Sequence, residues 1–464
     1  MRREVLYASV PPGRGENAAM DASTGDTKAE AKQPAAKQLA AARRLIAEIA
    51  AALDLDASVR LWDGSLVPLG QSVKSPLTLT IAGPGVVASM LRWPTLDRLV
   101  RLYAKGRIGL EGGTLIDLGS QLQQTSTRKR LKHLGKLRVA KLLLPFLFAA
   151  PDRPGRSRDY AGDETGRARA QAENRDFVQF HYDVSNDFYR LFLDPHMQYS
   201  CAYFTDWSGT LDQAQADKLE MICRKLRLKP GDRLLDIGCG WGGLIIYAAL
   251  NHGVRAHGVT MSQTQLDLAH ERIAQAGLSD SVSVELKDYA ELGGTYDKIA
   301  SIGMYEHIGL TNIPLYLTKV RSLLADDGLF LNHAISRRAK RRQRRLGSRP
   351  EQRAIMRYIF PGGELDDIGH TVQEMEINGL EVQDVENWRS HYALTTRAWC
   401  ERLTARREEA EAMVGPELVR LWLAYLAGVS LAFTRGSLRI YQTLVSKQGR
   451  GPSPLPPTRA DLYR

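Results

Sequence analysis

The sequence contains no run of about 18 apolar residues, the length a helix needs to cross a bilayer. Its longest apolar or small stretches are Leu142–Ala150, interrupted by Pro145, and Leu421–Phe433. The first ten residues carry charge but no apolar core, so no secretory leader is expected. Cysteine is scarce, with 4 in 464 residues: Cys201, Cys223, Cys239 and Cys400. None forms a CxxC pair and none has a histidine partner at metal-ligand spacing, which argues against a disulfide scaffold or a cysteine-rich metal site. A reducing, cytoplasmic compartment is the simplest expectation. No internal repeat is present.

What remains is an ordinary globular composition, 44% hydrophobic and 25% charged, with length for about two to four domains. Lys and Arg number 63 against 52 acidic residues, a net charge of +11. Two segments without any acid account for the excess. Arg128–Lys141 holds seven Lys/Arg and Arg337–Arg349 holds eight, so the rest of the chain is slightly acidic. Positive charge focused in this way suits an anionic partner such as a phosphate-bearing surface.

Residues 1–34, poor in large apolar side chains, are expected to be a disordered lead-in. A helical rhythm starts near Ala35 and runs through Leu39, Leu45, Ile46 and Ile49. Short strands follow: Ser58–Trp62 and Leu66–Leu69 around Asp63-Gly64, a hairpin signal, then Leu77–Ile81 and Ile108–Glu111. Residues 35–150 thus read as a small α+β domain ending in the basic stretch and Leu142–Phe148. Residues 151–172, rich in Pro, Gly and charge, read as a linker. From 173 to 448, apolar strands alternate with helices. Strands are expected at 234–238, 254–260, 282–288, 296–303 and 328–335, and a late pair at 380–388 and 438–445. That pattern predicts an α/β fold with a seven-stranded, doubly wound sheet, and 449–464 is left as a tail.

The first of these strands runs into Leu234-Leu235-Asp236-Ile237-Gly238-Cys239-Gly240-Trp241-Gly242-Gly243. Glycines allow a tight turn and a close approach of backbone to ligand, and the next helix offers free N–H groups. Gly238, Gly240 and Gly243 also fit the dinucleotide fingerprint. A dinucleotide site, however, needs an acid about 20 residues on for the ribose hydroxyls. No Asp or Glu lies between Asp236 and Asp267. The second strand ends in Gly258-Val259-Thr260-Met261-Ser262, and Gln265 is the candidate to hold a ribose instead.

His181–Tyr189, Tyr199–Phe204, Leu234–Gly242, Gly258–Gln265, Ser301–His307 and His391-Tyr392 together resemble the motif series of cyclopropane-fatty-acyl-phospholipid synthases. The resemblance covers roughly residues 173–448, and the preceding small domain is similar to the lipid-binding domain of the full-length phospholipid enzymes. It implies a class I S-adenosylmethionine methyltransferase fold. It implies methyl transfer to a cis double bond of a phospholipid acyl chain, with bicarbonate taking the proton as a cyclopropane ring closes. Carried over by motif, Tyr199 and Ser200 contact the methionine part of the cofactor. Asp236, Gly238, Gly240 and Gly242 form the glycine loop, Thr260 and Gln265 meet the ribose, and Asp288 and Tyr289 lie beside adenine. Glu306, His333 and Tyr392, with the backbone of Cys201 and Ile335, form the bicarbonate site. A homodimer and a peripheral position on the inner face of the membrane also follow from the resemblance. One departure is Val429, where the family often has cysteine.

The chemistry sets its own demands. An alkene is a weak nucleophile, so donor and acceptor must be aligned and kept dry. A carbocation is quenched by water and stabilised by aromatic faces, by about 0.5–2 kcal/mol each. Tyr182, Tyr189, Tyr199, Tyr203, Phe204 and Tyr305 are candidates for such a wall. Glu306 beside an anion is reasonable if the two share a proton. No Cys–His–acid arrangement is evident around Cys201, which leaves it a backbone role. The basic run leading into Leu142–Phe148 suits an anionic lipid surface. Nucleic acid is not expected as a partner, because no RNA-binding motif or Asn-Pro-Pro-Tyr catalytic motif is present. Two other readings remain open: a lipid C-methyltransferase giving a methyl-branched or methylene chain, and a lipid-carrying module that retains only cofactor binding.

Overall fold

The computed structural model describes residues 26–124, 130, 134–152, 185–339, 364–449, 453 and 455–463. Most of the expected linker, the His181–Val184 start of the first motif, Tyr182, and the run 340–349 lie outside the described residues.

The first helix spans Asp26–Leu53, beginning in what was expected to be lead-in. Ala, Lys, Glu and Gln dominate its early turns, and these residues favour helix without an apolar stripe. Strands β1 (Ser58–Arg60) and β2 (Leu66–Pro68) pair antiparallel. Gly64, at φ 83, supplies the turn between them. Strand β3 (Thr78–Ile81) runs parallel to β1, and β4 (Ile108–Glu111) pairs antiparallel with β3, giving the order β2-β1-β3-β4. Helices Pro84–Arg92 and Leu96–Ala104 connect β3 to β4, and Leu115–Gln124 and Lys136–Leu143 follow. The core of this unit gathers Ile46, Leu53, Leu55, Val59, Leu77 and Phe146.

The larger unit has seven strands: β5 (Arg233–Ile237), β6 (Arg255–Thr260), β7 (Val282–Leu286), β8 (Tyr296–Ile302), β9 (Leu324–Arg337), β10 (Leu380–Asn387) and β11 (Leu438–Lys447). Their order is β10-β11-β9-β8-β5-β6-β7. β5 to β9 are mutually parallel, while β11 inserts antiparallel between β9 and β10. Helices on the two faces bury two separate apolar layers, one around Leu234, Ile245 and Leu331 and one around Leu235, Ile299 and Phe330. Adjacent residues of β5 point into opposite layers, as the pleat requires. The doubly wound seven-stranded sheet expected from the alternating pattern is therefore present. Its strand order reverses at β5, so the crevice at the carboxyl ends of the strands opens beside the glycine loop.

Helix Pro416–Thr434 is, among the described residues, the one helix long and apolar enough to span a bilayer. It packs inside the protein. One side lies on helix Arg389–Ala405, where Ser430 donates to the carbonyl of Ala393 at 2.9 Å. The other side meets helices Leu96–Ala104 and Leu115–Gln124 of the small unit. Leu421 is buried there with Ala104, and Arg420 donates to the Ala104 carbonyl at 3.4 Å. The small unit is thus attached to the larger one through a shared apolar seam.

Candidate active site

At the end of β5 the backbone turns through Gly238, Gly240 and Gly242, with φ of 86, 54 and 77. L side chains rarely adopt these values. Gly242 then caps helix Gly243–His252. Gly243 is needed for another reason: a Cβ there would stand 2.3 Å from the carbonyl oxygen of His196. The loop forms one wall of a cavity of about 1190 Å³, open mouth included. Tyr199, Ser200, Asp236, Gly238, Gly240, Thr260, Gln265, Asp288 and Tyr289 all line it. Gly242 does not, and serves the turn.

Three details give the cavity its chemistry. Asp236 is 3% exposed, and burial raises its carboxyl to about 7. Its Oδ1 has no hydrogen-bond partner among the described residues; the α-ammonium of an amino-acid-bearing ligand would satisfy it. Thr260 donates its hydroxyl to Gln265 Oε1 at 2.8 Å, which fixes the amide and leaves its N–H donors for a ligand hydroxyl. Beneath Tyr199-Ser200, the fully buried Lys218 donates to Gln198 and, at 3.0 Å, to Ser200 Oγ. Burial lowers the Lys218 ammonium to about 8.

The second group of expected residues lies next to this cavity rather than in its lining. Strand β9 ends beside it: Ile302 pairs with His333, and the Gly303 N–H donates to the His333 carbonyl at 2.8 Å. His333 and Ile335 are two apart on β9 and therefore face the same side of the sheet. Glu306 sits in a single turn after β8, 4% exposed, and its Oε1 accepts the Ile335 N–H at 3.3 Å. The Ile335 amide is thus already engaged, so an anion there would share or displace that bond. Burial pushes the Glu306 carboxyl up to about 7. The His333 ring is fully buried and held well below the usual imidazole range by burial and by the charges of Lys218 and Lys225. Glu306 Oε2 and His333 Nε2 are both buried without a partner among the described residues. Tyr392, on helix Arg389–Ala405, stacks near Phe433 with ring centroids 4.7 Å apart. The Cys201 thiol is fully buried and pushed well up by that burial, which makes it a poor nucleophile. It lies 3.8 Å from the Trp388 carbonyl, and the Trp388 ring meets His333 edge-on at 5.2 Å.

Of the aromatic residues expected to form a wall, Tyr199 lines the cavity. Tyr189 packs behind it against Trp241 and Trp422. Tyr203 stacks on His391 and Trp388, Phe204 lies beside His391, and Tyr305 packs in the core against Tyr316. None of these four lines the cavity: Tyr189, Phe204 and Tyr305 are buried in apolar packing, and Tyr203 is half-buried beside His391. Sequence reasoning missed the buried Lys218, Lys225 and Gln442 behind the site, and the half-buried Glu386 that pairs with Lys225. Trp241, Met304 and His307 of the lining sit inside motifs whose other members were singled out.

A parallel sheet with a late antiparallel insertion, and a glycine loop after its first strand, define the class I S-adenosylmethionine methyltransferase fold. Comparison with known proteins narrows this. The family model "Mycolic acid cyclopropane synthetase" matches residues 169–443. A probable fatty acid methyltransferase of Pseudomonas putida is 37% identical over 415 residues, covering 89% of this chain and 97% of that protein. The cyclopropane-fatty-acyl-phospholipid synthase of Escherichia coli K12 is 39% identical over 267 residues, covering 58% and 66%. A solved mycolic acid cyclopropane synthase in complex with SAH and CTAB superposes with a TM-score of 0.56 at 33% identity, covering 59% of this chain and 98% of that one. The chain belongs to the mycolic acid cyclopropane synthetase family and is an S-adenosylmethionine-dependent methyltransferase.

Proposed function

We propose that this enzyme methylates a cis double bond of a phospholipid acyl chain and closes a cyclopropane ring. The observation that carries the reading is that Glu306 Oε2 and His333 Nε2, on the elements beside the glycine-loop cavity, are both buried with no partner among the described residues. S-adenosylmethionine, when bound, supplies an electrophilic methyl group. Asp236, Gln265, Tyr199 and Ser200 would hold it, and Tyr199 would present an aromatic face to the cationic centre. The alkene would take that methyl carbon as the S–CH3 bond breaks and S-adenosylhomocysteine leaves as a neutral thioether; the positive charge passes to the acyl chain, and loss of one proton from the transferred methyl group closes the ring. Exclusion of water is the protein's first task here, and Glu306, His333, Cys201 and Tyr392 are all buried. Bicarbonate, held by Glu306 and His333, would supply a proton acceptor of low charge. A Glu306 carboxyl near neutrality can carry the shared proton.

The same reading extends to the substrate's surroundings. Phe146 is anchored in the small unit's core, while Leu144, Leu147 and Phe148 are exposed, Phe148 at 96%. Arg138 and Lys141 are exposed just before them. Apolar side chains following cations suit an anionic leaflet, in keeping with a peripheral enzyme on the inner, cytoplasmic face of the membrane; a homodimer is proposed on the family resemblance alone. In the second basic run, Arg337 is paired with Asp367 at 2.8 Å.

A second reading is a C-methyltransferase giving a methyl-branched or methylene chain, and the name of the Pseudomonas relative favours it. A cyclopropane and a methylated or methylene-bearing alkene are isomers, so mass alone does not separate them. Proton NMR of lipid from cells expressing the protein does. Upfield ring-methylene signals support cyclopropane formation; a branched methyl or exocyclic methylene signal in their place rules it out.

A further inference from the structure

The hydrogen bonds behind His333 dictate which ring nitrogen carries its proton. Lys225 is 1% exposed on helix Leu211–Leu226. Its ammonium donates to the Glu386 carboxylate and, at 2.7 Å, to Gln442 Oε1. An ammonium has no lone pair, so the amide must turn its oxygen to Lys225. The amide nitrogen then faces the other way, 3.0 Å from His333 Nδ1. Gln442 and His333 are direct cross-strand partners on β11 and β9, which holds this geometry. An amide nitrogen can only donate, so Nδ1 must offer its lone pair. A neutral imidazole has a single N–H, which is therefore on Nε2. The ring is neutral because burial and two nearby lysines oppose its charging.

We infer that Lys225 and Gln442 are positioning residues that lock His333 as an Nε2–H donor toward a small oxyanion and so exclude it as the base that receives the ring-closing proton. The role assigned to that donor rests on the proposed function; the tautomer itself does not. Nε2 is the nitrogen without a partner among the described residues, so its hydrogen awaits an acceptor from the ligand. Proton acceptance falls to the anion and Glu306.

The test is 15N NMR of the full-length protein labelled at histidine, with the His333 signals assigned by loss in His333→Gln. Free wild-type protein is expected to show a pyrrole-type Nε2 and a pyridine-type Nδ1. A protonated Nδ1 with bare Nε2 overturns the inference, whatever the activity. In Gln442→Glu the carboxylate can only accept, so the proton should move to Nδ1. Turnover should then fall about tenfold or more, with affinity for S-adenosylhomocysteine within about twofold of wild type. Reversed tautomer with unchanged turnover overturns the positioning role. If Gln442→Glu does not fold, the wild-type spectrum alone decides the tautomer. An Nε2–H spectrum in a protein that transfers no methyl group to lipid supports the tautomer and sinks the functional reading instead.

Discussion

Glu306 Oε1 accepts the backbone N–H of Ile335 at 3.3 Å, while its Oε2 has no partner among the described residues. One oxygen is used to aim the other. Glu306→Gln keeps the shape and an acceptor for Ile335 but cannot hold a shared proton. It should nearly abolish product while S-adenosylhomocysteine affinity, measured by calorimetry, stays within about threefold. Loss of both together would show that Glu306 supports the fold of the cofactor cavity rather than the chemistry.

The same carboxyl predicts a pH dependence of stability. Its folded-state value, about 7, lies above the ordinary 4.5, so the native state binds more protons than the unfolded chain between those values. Stability is then greatest near the acid end and falls as pH rises from about 4.5 through about 7. Asp236 is raised for the same reason and adds to the trend. Melting of wild type and Glu306→Gln across pH 5 to 8 should therefore diverge, the wild type losing more. Parallel curves would mean that Glu306 is already ionised at pH 5.

Gln265 stands where other nucleotide sites place an acid, and Thr260 pins its oxygen. Gln265→Ala should weaken cofactor binding by about tenfold, the value of one well-made hydrogen bond in a buried site. Unchanged affinity in a filter or calorimetric assay would remove Gln265 from the site.

The segment 128–148 should confer binding to anionic vesicles. Neutralising its seven Arg/Lys should reduce co-sedimentation with anionic vesicles, and the difference should shrink at high salt. Phe148→Ser should reduce binding to anionic and neutral vesicles alike, because it removes an apolar contact. Equal binding by all variants would place the membrane contact elsewhere.

Leu421→Ala, at the seam between the two units, should cost about 2–5 kcal/mol in chemical denaturation. Hydrogen exchange should rise on both sides of it, in 96–104 and in 416–434. A change confined to one side would show that the units are stabilised independently.

Most of the sheet was legible because buried parallel strands are largely apolar runs separated by helices, as in Leu234–Ile237 and Ile299–Ile302, each interrupted by one polar residue, Asp236 and Ser301. The glycine loop was legible for the same local reason, being strand, turn and helix in one stretch. Lys218 and Lys225 were not, since a lysine on a helix reads as solvated. A signal exists all the same: both fall in phase with Leu211, Ala214, Gln215 and Ile222 on the buried face of one helix. Gln442 could not have been found this way, because its partner lies on β9, 109 positions away. That Tyr203, Phe204 and Tyr305 stay out of the cavity lining was not legible, because closeness to a motif in sequence says nothing about which way a ring leaves the backbone.

The pairing of Gln442 with His333 has one more implication. Side chains on a strand alternate with period two, so sliding β11 by a single residue would send Gln442 to the far surface and bring Tyr441 or Thr443 opposite the imidazole. Neither imposes a direction, because a hydroxyl can accept from an Nδ1–H as well as donate to a bare Nδ1. The register that packs β11 between β9 and β10 is therefore the same register that sets the place of a single proton, so the strand's apolar fit and the imidazole's tautomer are specified together.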